Sequence, residues 1–481
     1  MTKKFYITTT LPYVNADPHI GFALEIIQAD VVARFYRVNG YEVFFNTGTD
    51  EHGLKVFRGA QKESIDTQKY CDAYAEKNKN LKSALNLSYD NFIRTTDEHH
   101  MKAAQEFWTR CAENGDIYKK NYKVKYCVGC ELEKTESELV NGKCPIHPNL
   151  ELEVIEEENY FFKYSKYQKP LLDFYKKNKD FVVPDSRFNE IKEFTKRGLE
   201  DFSISRLKEK MPWGVSVPND DNHVMYVWFD ALVNYISALG WPASAEASAG
   251  KPENRFRDFW PGLQVAGKDN LRQQSSMWQA MLMSAGLPNS KQIFIHGFIT
   301  ANSQKMSKSL GNVINPLELT KKYGTDAVRY YLLREIPSTE DGDFTYEKFE
   351  QRYNADLAGG IGNLVSRVVT MAAKLGVKSE SKNAKLKKEA ERAKKDCSKA
   401  VGEFKFNEAL KIIWELISWC DRYINQEKPW EQKAGSKIVI SDLLFVLENL
   451  SELLNPFLPE TSEKIERAVK ELKAVPLFPR I

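Results

Sequence analysis

Residues 5–35 read FYITTTLPYVNADPHIGFALEIIQADVVARF and set the order strand, loop, helix at the start of the chain. Residues 5–9 are β-prone, and the prolines and asparagine that follow them indicate a loop. From Gly21, apolar residues recur at helical spacing until residues 39–40 (NG) supply a stop. Residues 42–46 are β-prone again, which predicts a parallel β-α-β unit with a ligand site at the carboxyl ends of its strands.

A similar pattern returns far downstream. Residues 263–266 and 292–296 read as strands, and residues 270–285 between them read as a helix. Beyond about Phe349, long helical patterns replace the strand signals. The sequence therefore predicts an α/β fold, in which a Rossmann-type parallel sheet is split by an insertion and followed by an all-α helical bundle.

Composition narrows the functional class. The chain has 481 residues, 42% hydrophobic and 28% charged, as in ordinary globular proteins. Its formal net charge of +3 is too small to indicate nucleic-acid binding without local patches. No run approaches the roughly 20 apolar residues of a membrane span, and no apolar signal segment precedes the first strand. We expect a cytoplasmic protein without membrane contact, whose seven cysteines are thiols or metal ligands.

The tetrapeptide PHIG at residues 18–21 opens the first predicted helix. A helix N-terminus offers unpaired amides and a partial positive charge, which suit a phosphate. His19 can donate a hydrogen bond to a phosphate oxygen, and Gly21 allows close approach. Taken alone, the tetrapeptide is a weak signal, because a histidine before a helix is more often a capping or packing residue.

The pentapeptide KMSKS at residues 305–309 follows the second predicted strand of the downstream half. Lys305, Ser307 and Lys308 can grip a polyphosphate, whose transfer needs charge compensation and positioning. A solvated basic loop is the alternative for this motif alone. Together with the helix opening in the other half, it predicts a nucleotide site.

These two motifs resemble the HIGH and KMSKS signatures of class I aminoacyl-tRNA synthetases. The second match is complete, whereas Phe22 stands where the first signature often has another histidine. The resemblance implies that His19, Lys305 and Lys308 are catalytic. It implies that the ATP-binding residues are His19, Gly21, Gly267, Asp269, Lys305, Ser307 and Lys308.

The middle of the chain contains C-x2-C, a gap, and C-x2-H, formed by Cys127, Cys130, Cys144 and His147. Three thiolates and one imidazole complete a tetrahedral shell, so we expect one structural zinc ion. Free thiols are the alternative interpretation. The other cysteines lack such spacing and read as buried or incidental thiols: Cys71, Cys111, Cys397 and Cys420.

A zinc knuckle between the two halves resembles the connective domain of methionyl-tRNA synthetases, which supports the acceptor end of the tRNA. Further matches lie at residues 10–15 (TLPYVN), 48–53 (GTDEHG), 227–231 (VWFDA) and 266–269 (AGKD). The resemblance implies that methionine contacts Leu11, Asp50, Trp228, Ala231, Tyr235 and Gln274. Aromatic side chains suit a polarizable sulfur, although they can equally be core.

One departure concerns the pocket floor. Gln273 and Gln274 stand where the family usually has an aromatic residue and a histidine. The closest alternatives are synthetases for isoleucine, valine or leucine, which carry a much longer editing insertion, and the cysteine enzyme, which uses zinc inside its pocket. A catalytically silent RNA-binding paralogue is the alternative from another class, and only Phe22, Gln273 and Gln274 favour it.

In the helical third, the resemblance implies that Asn363, Arg367 and Trp430 read the anticodon, by hydrogen bonds and stacking. Without the resemblance, Asn363 and Arg367 read as a solvated helix face, and Trp430 reads as a packing residue. The expected partners are tRNA(Met), methionine and ATP with Mg²⁺. The chain ends soon after the helical bundle, so we expect a monomer.

The expected domains follow from the motifs and the resemblance. They are the first half of the Rossmann catalytic domain (1–116), the connective insertion with the zinc knuckle (117–219), the second half with the KMSKS loop (220–320), a stem-contact linker region (321–349) and the helical anticodon-binding domain (350–481).

Overall fold

The computed structural model describes residues 2–134, 136–242, 255–306, 311–381, 383–431 and 435–481. The described strands are β1 (Lys4–Thr8), β2 (Glu42–Thr49), β3 (Asn91–Arg94), β4 (Ile117–Cys127), β5 (Leu132–Lys134), β6 (Glu153–Phe162), β7 (Val182–Val183), β8 (Phe202–Ser203), β9 (Ser205–Leu207), β10 (Ser216–Val217), β11 (Asp220–Met225), β12 (Leu263–Gly267), β13 (Gln292–His296), β14 (Ile299–Ala301) and β15 (Gly342–Phe344).

The described α-helices alternate with the strands at first and then follow one another. They are α1 (Ile20–Val38), α2 (Leu54–Glu63), α3 (Thr67–Lys79), α4 (Leu81–Ala84), α5 (Glu98–Glu113), α6 (Gln168–Lys177), α7 (Asp185–Arg197), α8 (Val227–Ala231), α9 (Asn234–Ser237), α10 (Phe256–Phe259), α11 (Trp278–Ser284), α12 (Pro316–Tyr323), α13 (Thr325–Arg334), α14 (Tyr346–Arg352), α15 (Asn363–Leu375), α16 (Ala384–Gly402), α17 (Phe406–Glu427), α18 (Ser436–Leu454) and α19 (Pro459–Glu471). Wider π-helical turns occupy Gln273–Met277 and Tyr353–Gly362.

The chain forms two units, each assembled from segments that are distant in sequence. The first contains Met1–Asp17, Glu42–Asn80 and Tyr89–Ile295. The second contains Pro18–Tyr41, Leu81–Ser88 and His296–Ile481.

The first unit contains a six-stranded sheet in the order β3-β2-β1-β12-β13-β7. Its central strand β1 pairs in parallel with β2 and with β12, so that Ile7 lies beside both Phe45 and Leu263. Buried apolar residues dominate these central strands, as expected when both faces of a parallel sheet are covered. The two halves predicted from sequence therefore form one sheet, and the predicted fold class is confirmed.

Residues between the two halves form antiparallel sheets, in the orders β5-β4-β6-β8 and β10-β11-β9. The long β4–β6 ladder runs from Ile117 opposite Phe162 to Tyr126 opposite Glu153. The short strand β7 belongs to the same stretch of sequence, yet it pairs in parallel with β13 at the edge of the six-stranded sheet.

Aromatic side chains make much of the first unit's core. In α5, the Phe107 ring lies 5.8 Å from that of Phe229 and stacks on that of Trp278 at 5.4 Å. Trp108 meets Phe229 edge-on at 5.2 Å. Such pairs stabilise by about 0.5–1.5 kcal/mol beyond burial of their area, so α5 holds the segments around residues 229 and 278 in place.

In the second unit, the parallel strands β14 and β15 flank α12 and α13 in sequence, and only helices follow β15 among the described elements. A fully buried ion pair joins Arg329 of α13 to Asp30 of α1, with 2.8 Å between Nη1 and Oδ2. The same guanidinium donates to the carbonyl oxygens of Leu85, Pro456 and Phe457. A buried guanidinium with several acceptors ties α1 and α13 to the end of α18, because every donor it leaves unpaired would cost free energy.

Among the described helices, none combines the length and apolar character that crossing a membrane requires.

Candidate active site

The loops after β1 and β2 are hydrogen-bonded to each other in the first unit. Asp50 N donates to the Pro12 carbonyl at 3.0 Å, and Val14 N donates to the Asp50 carbonyl at 3.2 Å. Leu11, partly exposed, precedes this contact, and Gly267 ends the neighbouring strand β12. The structure therefore places Leu11, Asp50 and Gly267 at the carboxyl ends of adjacent parallel strands, where such sheets bind ligands.

Asp50 is a buried acid without a compensating cation among the described residues. Its side chain is 3% exposed, and its Oδ1 has no hydrogen-bond partner there. Burial raises the pKa of Asp50 well above its usual value, and the nearby carboxylates of Asp230 and Glu131 raise it further. A ligand with a positively charged amine would remove this cost, because it would supply the missing countercharge.

Asp230 lies in an opposite environment. Its carboxylate contacts His52 Nδ1 at 2.6 Å and His100 Nε2 at 2.9 Å. His100 also contacts Ser237 Oγ at 2.9 Å. Although burial by itself raises the pKa of Asp230, the two histidines outweigh it and lower this pKa to about 2. The network fixes α8, which carries Trp228 and Ala231; sequence analysis missed both histidines, although His52 lies within the quoted GTDEHG segment.

Three of the residues predicted to bind methionine, Ala231, Tyr235 and Gln274, lie near one another along an aromatic wall in the first unit. Tyr235 and Ala231 are buried, and the Tyr235 ring lies 6.0 Å from that of Trp278. Gln274 donates from Nε2 to the Tyr235 hydroxyl at 2.7 Å. Trp228 is partly exposed, with a buried Nε1 that has no partner among the described residues. This wall combines apolar surface with a few polar groups, as small-molecule sites do.

Asp269 follows β12 in a short 3₁₀ turn, Lys268–Asn270, and is exposed. It accepts a long hydrogen bond of 3.4 Å from Asn270 Nδ2. Its place after Gly267 leaves its carboxylate accessible at the carboxyl edge of the sheet.

His19 is the N-cap of α1 in the second unit. Its Nδ1 accepts from Gly21 N at 3.1 Å, and a Cβ on residue 21 would lie 2.9 Å from the imidazole. Desolvation lowers the pKa of His19, which favours the neutral ring at pH 7. Because Nδ1 accepts a hydrogen bond, the neutral ring carries its proton on Nε2, where it can be donated to an anion.

The start of the lysine-rich loop is held by β14 and β15. Asp343 Oδ1 accepts from Thr300 Oγ1 at 2.5 Å and from Ser303 N at 2.7 Å. On the far side of the loop, Asn312 Nδ2 donates to the Lys305 carbonyl at 3.2 Å, and the Lys305 side chain is exposed. Of the three predicted ATP ligands in this loop, Ser307 and Lys308 lie outside the described residues.

The predicted metal ligands come together. The donor atoms of Cys127, Cys130, Cys144 and His147 all lie within 4.8 Å of one another. Cys130 Sγ lies 3.5 Å from Cys144 Sγ and 3.2 Å from His147 Nδ1. A Cβ on Gly129 would lie 2.6 Å from the His147 ring, so only glycine allows the first turn to approach this close. The cluster could hold a metal ion, and its soft thiolate set suits zinc.

Glu131 connects this knuckle to the sheet edge. Its Oε1 accepts from Lys55 N at 2.8 Å, at the start of α2, and its carboxylate also accepts from the Tyr126 hydroxyl. The Tyr226 hydroxyl, next to α8, donates to the Glu131 carbonyl. No spacing pattern marks Glu131, so sequence analysis missed it; its φ of 50° and full burial appear only in the structure.

In the helical part of the second unit, Arg367 and Trp430 are brought together. The Arg367 guanidinium lies 5.6 Å from the Trp430 ring centroid and donates to Asn425 Oδ1 at 3.0 Å. Trp430 is 46% exposed, which is high for so large an apolar side chain. Asn363 is exposed one helical turn before Arg367. The pair presents an accessible aromatic face and donors, which suit an unstacked base.

Comparison with known proteins gives consistent matches. The family described as tRNA synthetases class I (M) matches residues 5–153 and 136–369, and the anticodon-binding domain of tRNA ligase matches residues 383–477. A methionine–tRNA ligase of Thermotoga maritima is 44% identical over 97% of this chain and 75% of its own length. One of Thermosynechococcus vestitus is 44% identical over 97% of this chain and 90% of its own.

Solved structures agree with these sequence matches. Mycobacterium tuberculosis methionyl-tRNA synthetase in complex with methionyl-adenylate superposes with a TM-score of 0.90 at 36% identity, covering 100% of this chain and 98% of that one. Its free form gives a TM-score of 0.83 at 32% identity, covering 100% and 99%.

The opposite environments of the two buried acids predict opposite effects of neutral substitution. Asp50→Asn is expected to raise the free energy of unfolding of the ligand-free protein by about 1–3 kcal/mol, since it removes an uncompensated buried carboxylate. A raised folded pKa means that this carboxylate penalises folding increasingly as pH rises above the unfolded value. The gain should therefore be larger at pH 7.5 than at pH 4.5, as measured by urea unfolding.

Asp230→Asn is the matched counterpart. In the folded wild-type protein the pKa of Asp230 is lowered to about 2. The stabilisation that its carboxylate provides is therefore present above the unfolded pKa and is lost only as pH falls through the folded pKa. At pH 7.5 this variant is expected to lose about 2 kcal/mol. Equal destabilisation by both substitutions would show that Asp50 is already compensated.

Proposed function

The chain belongs to the class I tRNA synthetases that ligate methionine to tRNA, and we propose that the residues described above carry out the two steps of that reaction. In the first step, the methionine carboxylate attacks the α-phosphorus of ATP, which forms methionyl-adenylate and releases pyrophosphate. In the second, a terminal ribose hydroxyl of tRNA(Met) attacks the adenylate's carbonyl carbon, which forms the ester and releases AMP.

The observation that carries the methionine assignment is the buried, uncompensated Asp50 beside the wall formed by Trp228, Ala231 and Tyr235. An α-amino acid has the ammonium group that Asp50 requires. The wall supplies apolar surface and aromatic rings for a thioether. Leu11 and Gln274 complete the proposed pocket, at the loop after β1 and at the wall's polar end.

In the first unit, Gly267 ends β12 and Asp269 follows it in the next turn. Both suit the ribose of ATP, because a backbone without a side chain allows close approach and a carboxylate accepts from hydroxyls. His19 and Gly21 offer a neutral donor and a helix N-terminus for phosphate. Lys305, Ser307 and Lys308 are proposed to stabilise the charge that builds on pyrophosphate. Mg²⁺ bound with ATP would neutralise phosphate charge.

We propose one structural zinc ion held by Cys127, Cys130, Cys144 and His147. Four protein ligands complete a tetrahedral shell and leave no position for substrate. Its proposed role is to stiffen the knuckle, which Glu131 fastens to the start of α2. The connective role of residues 117–219 is proposed with it.

The helical part, residues 350–481, is proposed to read the anticodon through Asn363, Arg367 and Trp430. The exposed ring and guanidinium favour stacking and hydrogen bonding to unstacked bases. The monomeric state, the cytoplasmic location and the remaining domain boundaries stay predictions.

The proposed activity is tested by ATP–pyrophosphate exchange with each of the twenty amino acids in the absence of tRNA. Exchange with methionine alone is expected, because only the amino acid that fills the pocket places its carboxylate for attack. Exchange with another amino acid would move the substrate assignment. No exchange by folded protein with a full complement of metal would contradict the proposed activity.

Lys308→Ala is expected to slow adenylate formation by about 10²- to 10³-fold, as measured in a single turnover, because charge stabilisation on pyrophosphate is lost. Thermal stability and zinc content should stay at wild-type values. Lys387→Ala, which removes an exposed lysine of α16, is the matched control and should leave the rate unchanged. An unaltered rate in Lys308→Ala would remove this lysine from the catalytic residues.

Trp430→Ala is expected to raise the KM for tRNA(Met) about 10- to 100-fold, since a stacked base contributes about 1–3 kcal/mol. ATP–pyrophosphate exchange should not change, because it does not involve tRNA. Trp430→Phe preserves an aromatic face and should restore most of the affinity. A parallel fall in exchange in Trp430→Ala would indicate structural damage instead of a lost base contact.

A further inference from the structure

The helix that follows the Asp50 loop begins without a capping side chain of its own. α2 starts at Leu54, and its N-cap is Gly53, whose φ of 105° and ψ of 167° are open to glycine and strained for other residues. The serine, threonine, aspartate or asparagine that usually caps a helix is therefore disfavoured at this position. The first N–H groups of α2 need an acceptor from elsewhere in the fold.

Glu131 supplies that acceptor from the knuckle. Its Oε1 accepts from Lys55 N at 2.8 Å, and Lys55 is the second residue of α2, whose N–H a capping side chain normally satisfies. A Cβ added to Gly53 would lie 3.3 Å from the same Glu131 oxygen, so the carboxylate lies close to where a side chain of residue 53 would begin. Its negative charge also suits the partial positive charge of a helix N-terminus.

The Glu131 carboxylate is held in this position by its surroundings. The Tyr126 hydroxyl of β4 donates to its other oxygen, Oε2, and Glu131 is 1% exposed. Its backbone has a φ of 50°, a left-handed conformation that costs free energy in a glutamate and persists only where surrounding contacts impose it. In this conformation the Glu131 carbonyl oxygen accepts from the Tyr226 hydroxyl, before α8, while the side chain reaches α2.

The capped segment is the one that carries Asp50. Between Asp50 and the helix, the loop is anchored to Trp213, whose Nε1 donates to the Glu51 carbonyl at 2.6 Å and whose carbonyl accepts from Gly53 N at 3.3 Å. The contact of Glu131 with Lys55 N is the next anchor along the chain, at the point where the loop passes into α2. Loss of that contact would leave the first turn of α2 without its acceptor and free the end of the loop to shift.

We propose that Glu131 is a positioning residue for amino-acid binding, which caps α2 in place of a side chain at Gly53 and thereby holds Asp50 where the substrate ammonium binds. The inference rests on the proposed function, which places that ammonium at Asp50. Glu131 acts without touching the substrate, because both of its carboxylate oxygens accept hydrogen bonds from the protein. The knuckle thus contributes to methionine affinity through one side chain that is not a proposed metal ligand.

The test measures the Kd of methionine by equilibrium dialysis without ATP, and the KM values for methionine and ATP in ATP–pyrophosphate exchange. Glu131→Ala is expected to raise the Kd and KM for methionine about 5- to 30-fold, because losing the cap lowers the fraction of protein that is competent to bind. The KM for ATP should change by less than about twofold, since the residues proposed to bind ATP lie outside this loop.

Two further variants separate the cap from the charge. Glu131→Gln keeps an oxygen for Lys55 N and a nitrogen that can donate to the Tyr126 hydroxyl, so its Kd should stay within about twofold of wild type. Tyr126→Phe leaves Glu131 in place but removes the bond that orients its carboxylate, and should raise the Kd about two- to fivefold. This milder variant also decides the matter if Glu131→Ala does not fold.

Asp66→Ala is the matched control, because it removes the cap of another helix in the same unit. The Asp66 carboxylate accepts from Lys69 N at 3.0 Å at the start of α3. This variant should lose thermal stability to a similar extent as Glu131→Ala, yet bind methionine with the wild-type Kd. The zinc content of every variant should equal that of the wild-type protein.

The inference is overturned if Glu131→Ala and Tyr126→Phe leave the Kd unchanged, or if Asp66→Ala raises it equally. It is also overturned if Glu131→Gln binds as weakly as Glu131→Ala, since charge and not capping would then matter, or if the Kd rises only together with loss of zinc. Wild-type protein that bound methionine without exchange would contradict the proposed activity alone, because the Kd comparison would still decide the role of Glu131. Wild-type protein that bound no methionine would overturn both.

Discussion

Parallel pairing between β1 and β12 places Ile7 beside Leu263 and Thr8 beside Gln264, although most of the first unit separates these strands in sequence. Backbone N–H and C=O groups in a buried sheet must be hydrogen-bonded. β2 pairs with one side of β1, so the groups on its other side need a second strand. Pairing on its other side therefore brings the carboxyl ends of the two halves to one edge. The positions of the residues proposed to bind methionine depend on this register, since a slip by one residue would turn each strand's side chains to the opposite face.

At that edge, the protein handles buried negative charge in two ways. Asp230 is hydrogen-bonded to both His52 and His100 and holds α8 in place, which is a structural use of an acid. Asp50 is left without such compensation, and burial and neighbouring acids disfavour its ionised form. Burying a carboxylate without a partner costs free energy, and a bound ligand with a positive charge would remove that cost. An acid that served only stability would have a partner in the folded protein. The comparison of the two acids is thus more informative than either alone.

The floor of the proposed pocket also contains buried polar groups, Gln273 and Gln274. Gln273 and Gln274 depart from the pattern of the family, and as isolated substitutions they suggest a weakened pocket. In the structure, Gln274 belongs to a continuous set of hydrogen bonds that includes Gln264, Gln279 and Ser290. Gln274 lies in the π-helical turn at Gln273–Met277. A buried polar group is tolerated when its hydrogen-bond partners are in place.

Local sequence was sufficient for the strand–helix order, the two signature motifs, the cluster of three cysteines and one histidine, and the helical character of the C-terminal part. Each of these depends on neighbours in the chain: periodicity, turn residues and ligand spacing. The resemblance to a family added the residues proposed for the pocket and the anticodon. Sequence could not show that His52 and His100 share Asp230, that Glu131 fastens the knuckle to α2, that β7 joins the central sheet, or that Gln274 hydrogen-bonds to Tyr235. Those contacts join residues far apart in the chain, and their energies depend on burial and on which partner each buried group finds, which only the folded chain decides.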